Sequence, residues 1–105
     1  MARLKIKETN LDLSLQQQEI ENKIHYYHNE LLGLQKQVTI YDQMRANYQS
    51  LYRAENIRFK AGESTLFLVN ARENKLLEAR QKLTELEIKL LITKVALKWA
   101  AGQLN

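Results

Sequence analysis

The sequence has no cysteine and no proline, and only three glycines among its 105 residues. Without cysteine there are no disulfide staples and no thiolate metal ligands, and thiol usage leaves reducing and oxidising compartments equally open. Without proline the strongest breaker of helices is missing, and so few glycines leave few places for the chain to turn. Long apolar runs are missing too: no stretch approaches the ~20 apolar residues that a bilayer-crossing helix needs. The basic start Met1-Ala2-Arg3-Leu4-Lys5-Ile6-Lys7 lacks the apolar run and small-residue cleavage site of a secretory signal, so the polypeptide as it stands is expected not to be exported.

Charge of one sign is not gathered anywhere. Sixteen basic and twelve acidic residues give a net charge of +4, but they are interspersed along the chain. That pattern fits a solvated helical surface better than the basic patch of a nucleic-acid binder. Catalytic constellations are also lacking: there is no nucleophile with a positioned base, no glycine-rich phosphate loop and no paired-carboxylate cleft. The expectation is therefore a non-enzyme without cofactor, metal or nucleic-acid partner.

What is present is helical pattern. Apolar residues make up 45% and charged residues 27%, a balance that excludes disordered and collagen-like classes. At this length the chain is one domain or less, so its helices must find partners to bury a core. From Leu13 a heptad beat runs through Ile20, Ile24, Tyr27, Leu31, Leu34, Val38, Tyr41, Tyr48 and Tyr52, interrupted by Gln17 and Arg45. Steps of alternating four and three keep one narrow stripe facing a partner helix, and a beat sustained this long implies left-handed supercoiling. The spacing predicts one helix over about residues 10–60, on the order of 75 Å at 1.5 Å per residue. Gly33 falls inside it, at a cost of about 1 kcal/mol relative to alanine. The close passage of a second helix is the expected reason.

Gly62 then marks a turn. Ser64 or Thr65 can cap a new helix, and Glu63 adds a favourable negative charge beside its amino end. From about residue 65 to residue 102 a second stripe runs Val69, Leu76, Ala79, Leu83, Leu86, Leu90, Leu97 and Ala100, interrupted by Arg72 and Thr93. The two arms are expected to zip together antiparallel. Late in the second arm Ile88, Leu91, Ile92, Val95, Ala96 and Trp99 widen the apolar set beyond what one seam buries. Gly102 is placed to end the helix. The fold class expected is thus all-α, a long antiparallel two-helix coiled-coil hairpin occupying 1–105. Its leftover apolar face implies self-association, most simply a dimer forming a four-helix bundle.

Two further constellations have bland explanations. Glu21, His25 and His28 share a helix face at metal-ligand spacing, but the face adjoins the seam, and partner-facing or solvated histidines are commoner than ligands. Tyr27, Tyr41, Tyr48 and Tyr52 are suited to stacking on bases, yet all occupy seam positions where packing explains them; Tyr26 alone does not. Trp99 reads as a packing anchor.

Arg58-Phe59-Lys60-Ala61-Gly62-Glu63-Ser64-Thr65, followed by Leu66-Phe67-Leu68-Val69-Asn70-Ala71-Arg72, resembles the tip motif of TolC-type outer-membrane efflux proteins. Leu76, Ala79, Leu83, Leu97, Ala100, Ala101, Gly102 and Leu104 resemble the family's final long helix, and the first arm is similar in a less specific way to the helix preceding it. The resemblance implies a fragment of a larger trimeric protein with a β-barrel in the outer membrane, this chain being one hairpin of its periplasmic α-helical tunnel. The export signal, the barrel strands and a second hairpin would lie elsewhere in that protein, and the barrel would be its only contact with the membrane. It further implies conduction of small molecules or proteins, with Phe59, Gly62, Glu63, Ser64 and Thr65 contacting a periplasmic adaptor that links to an inner-membrane transporter. Asn70-Ala71 sits one residue closer to the glycine than in many members. Phe59 and Ser64 stand where some members keep an aromatic hydroxyl and a basic side chain that latch the closed tip. No acid stands among residues 67–71, where others carry a carboxylate ring, and Glu73 is a weak substitute. Neither latch nor ring is therefore carried over. The alternative in another class is a freestanding coiled-coil interaction module or the hairpin of a periplasmic adaptor, although adaptor hairpins are flanked by lipoyl-like strands and none is visible.

Overall fold

The computed structural model describes residues 2–103 and consists of two α-helices, α1 (Ala2–Lys60) and α2 (Leu66–Gly102), joined by a turn. No strand occurs among the described residues. The all-α hairpin expected from the heptads is the fold observed. Helix α1 begins well before residue 10, because the segment from Ala2 to Asn10 contains neither glycine nor proline and nothing in it stops a helix. Leu104, matched to the family's last helix, lies outside the described residues.

Packing falls into two compact units. One is Leu34–Leu90; the other takes in Met1–Gly33 and Leu91–Asn105. In the first, the last part of α1 lies against the first part of α2. Its core is Leu34, Val69, Leu76, Ala79, Leu83 and Leu86, with Val38, Tyr41, Tyr48 and Tyr52 half-buried beside them. These are seam positions of the two beats. A small residue such as Ala79 leaves room for a large one: Tyr41, Tyr48 and Met44 line a groove of about 310 Å³ at its side. Leu86 is the most enclosed side chain, at 2% exposure. Arg45, an interruption of the first beat, is half-buried and held within its own helix, donating to Asp42 at 2.9 Å and to Gln49 at 3.0 Å.

In the second unit Ala100 and Thr93 are buried, while Ile20, Ile24, Tyr27, Leu31, Ala96 and Leu97 are half-buried. Thr93 was a polar interruption in the pattern, and the seam includes it. Tyr27 packs edge-on to Tyr26 with ring centroids 5.4 Å apart. The exposed Tyr26 hydroxyl has its pKa held above the ordinary 10.0, chiefly because the Glu30 carboxylate one turn on accepts its proton in a hydrogen bond and repels the phenolate. Leu13, the first residue of the expected stripe, is 58% exposed. Leu91, Ile92, Val95 and Trp99 also remain in solvent, as does Ile88 in the other unit, so all of the widened apolar set except Ala96 is left uncovered.

Gly33 corrects an expectation. A methyl group built there would meet no atom within 4 Å, so no second helix passes close to it, and its cost to α1 is not offset by contact.

Candidate functional site

The site is the turn between Lys60 and Leu66. Gly62 has φ of 78°, the left-handed region that costs residues with a Cβ about 1–2 kcal/mol. Around it the amide of Glu63 donates to the Arg58 carbonyl at 2.8 Å and the amide of Gly62 donates to the Phe59 carbonyl at 3.0 Å. This pair of bonds is the Schellman motif, which satisfies carbonyls that the end of α1 would otherwise leave orphaned. The hydrophobic contact that often accompanies the motif is replaced by a polar one: Arg58 Nη2 reaches the Glu63 carbonyl at 3.4 Å.

The start of α2 settles which hydroxyl caps it. Thr65 Oγ1 accepts from the Leu68 amide at 3.3 Å and the Thr65 carbonyl accepts from the Val69 amide at 3.1 Å, making Thr65 the N-cap. Ser64 is thereby free for another role. Its hydroxyl donates to Glu55 Oε2 at 3.0 Å.

Glu55 is the residue that sequence reasoning missed. It is only 4% exposed, among the most buried residues of the chain. Taking a carboxylate out of water costs several kcal/mol unless it is paired and hydrogen-bonded. Here the partners come from three parts of the structure: Arg58 of α1 at 3.7 Å from Oε2, Ser64 of the turn, and Arg72 of α2 at 3.5 Å from Oε1. The two guanidiniums are themselves 57% and 44% exposed, so their attraction is screened. The hydroxyl and the charges together still give each oxygen of the carboxylate a partner. A signal for this was present in the sequence. One further step of three from Tyr52 in the first beat lands on Glu55, and Arg72 is a polar interruption of the second; the two interruptions meet.

Phe59, Gly62, Glu63 and Thr65 are exposed around this turn and Ser64 is half-buried, so the structure brings the five expected site residues together. Phe67, at 79% exposure, and Leu66 extend an apolar rim beside them. Glu73 is half-buried. Among the described residues no group of three or more histidine, aspartate or glutamate side chains is placed to hold a metal ion, the Glu21, His25 and His28 set included. No described helix is long and apolar enough to cross a membrane. No protein-family model, curated protein or solved structure matches the chain.

Proposed function

We propose that the chain is a periplasmic helical hairpin of a TolC-type outer-membrane efflux protein, and that its Gly62 tip docks the coiled-coil hairpin of a periplasmic adaptor. The observation that carries this reading is the tip itself. The segment from Arg58 to Ala71 resembles the family's tip motif in sequence, and its glycine sits at a positive φ in a closed turn with Glu63 exposed beside it. A surface turn built on a rigid scaffold is where recognition residues concentrate.

The uncovered face of α2 supports the reading from a second direction. A hairpin standing in the wall of a helical tube needs one seam within itself and another toward its neighbours. Ile88, Ile92, Val95 and Trp99 are exposed and follow one another in steps of four, three and four, the beat of a second seam. In this role the protein conducts and does not catalyse: its helices form the tunnel wall, and opening requires the tips to move apart. An inner-membrane transporter would deliver the substrate through the adaptor.

Cell fractionation of the gene product that carries this chain tests the proposal. The expected result is a trimer in the outer-membrane fraction. Recovery in the cytosol or the inner membrane, or recovery as a monomer, would overturn it.

A further inference from the structure

The docking tip needs a fixed shape, and the hydrogen bonds of the turn do not provide all of it. The Schellman bonds close the end of α1, and the Thr65 cap opens α2. Neither ties one helix to the other. At the tip end of the seam, beside the buried Val69, Glu55 of α1 pairs with Arg72 of α2, and Ser64 binds the turn to the same carboxylate. We infer that Glu55 is the positioning residue of the tip: its buried carboxylate holds α1, the turn and α2 in the single arrangement that presents Gly62 and Glu63 to a partner.

The choice of residue follows from its surroundings. An apolar side chain at this seam position would bury surface equally well, but would leave the Ser64 hydroxyl without its acceptor and the two guanidiniums without a shared anion. In some proteins a buried ionic group contributes more to a unique arrangement than to net stability. The same holds here, because both arginines are exposed enough to be satisfied by water when the carboxylate is lost. Removing Glu55 therefore loosens the tip more than it unfolds the hairpin. Glu55 acts through Ser64 and Arg72 and need not touch the partner itself.

This inference rests on the docking role proposed above, and the experiment separates the two. Amide hydrogen exchange on the 105-residue chain is measured for the tip amides of Gly62, Glu63, Leu68 and Val69, and for those of Leu83 and Leu86 in the seam. Glu55→Gln, which keeps the shape and removes the charge, is expected to accelerate the tip amides about tenfold while leaving the seam amides unchanged. Equal acceleration at both places, or none at the tip, would overturn the inference, since a merely structural residue moves both together. Should Glu55→Gln unfold the chain, Ser64→Ala decides in its place, with about threefold faster exchange confined to the tip; unchanged tip exchange in that variant would overturn the inference. A second arm places a photoreactive side chain at Glu63 in the gene product and reads light-induced capture of an adaptor in cells, where adding Glu55→Gln should reduce the adduct several-fold. If the photoreactive side chain at Glu63 with Glu55 intact captures no second protein, the docking role fails, and the exchange result alone settles whether Glu55 positions the turn.

Discussion

Alanine at Gly33 and alanine at Gly62 should move stability in opposite directions. At neither Gly33 nor Gly62 would a new Cβ meet an atom within 4 Å, so contacts contribute nothing and the backbone alone sets the sign. Gly33 lies in the interior of α1 with ordinary helical φ, where Gly→Ala gains about 0.8–1 kcal/mol through helix propensity. Gly62 sits at φ 78°. Alanine there takes on roughly 1–2 kcal/mol of left-handed strain, partly offset by about 0.5 kcal/mol from a stiffer unfolded chain, for a net loss near 1 kcal/mol. For a chain of this size each change corresponds to a Tm shift of about 4–8 °C, upward for Gly33→Ala and downward for Gly62→Ala. The two sites share no neighbours, so the double variant should return close to the wild-type value. Urea unfolding followed by far-UV circular dichroism, at one fixed protein concentration so that association does not shift the midpoint, measures all three. A destabilised Gly33→Ala would refute the reasoning by showing that something packs against that glycine, and a neutral Gly62→Ala would show that the turn does not need its left-handed residue.

Leu86→Ala, at the most enclosed seam position, should cost about 2–4 kcal/mol in the same unfolding assay; a cost below about 1 kcal/mol would mean that the seam closes around the deletion. Absorbance titration of the tyrosines should show Tyr26 ionising above its ordinary 10.0, and Glu30→Ala should bring that midpoint down, because the variant removes both the acceptor for the protonated phenol and the charge opposing the phenolate. Light scattering of the chain at micromolar concentration should return a dimer or larger, since Leu91, Ile92, Val95 and Trp99 remain uncovered; a stable monomer would contradict the argument from exposed apolar surface.

Much of the hairpin is legible from periodicity. Two long heptad beats separated by one glycine dictate two helices, and the buried apolar residues Leu34, Val69, Leu76, Ala79, Leu83, Leu86 and Ala100 all fall on positions those beats select. Three features are not legible, each for a physical reason. The early start of α1 escapes because helix-forming residues without a cap give no boundary signal. The setting of Gly33 escapes because a glycine looks alike whether it admits a neighbour or merely weakens the helix. Glu55 escapes because a carboxylate in an apolar beat reads as the end of the beat; only the antiparallel register shows that Arg72 lies across from it. The tip residues Phe59, Gly62, Glu63, Ser64 and Thr65 were marked by resemblance and by turn chemistry. Division of labour among them needed coordinates: Thr65 caps, Ser64 ties the turn to Glu55, and Gly62 supplies the left-handed residue.

The account turns on whether this tip docks another protein, and capture at the tip tests that most directly. A photoreactive side chain at Glu63, introduced into the gene product in its native cells and followed by mass spectrometry of the adducts, should identify the coiled-coil hairpin of a periplasmic adaptor. Adducts formed only with other copies of the same chain would contradict the account.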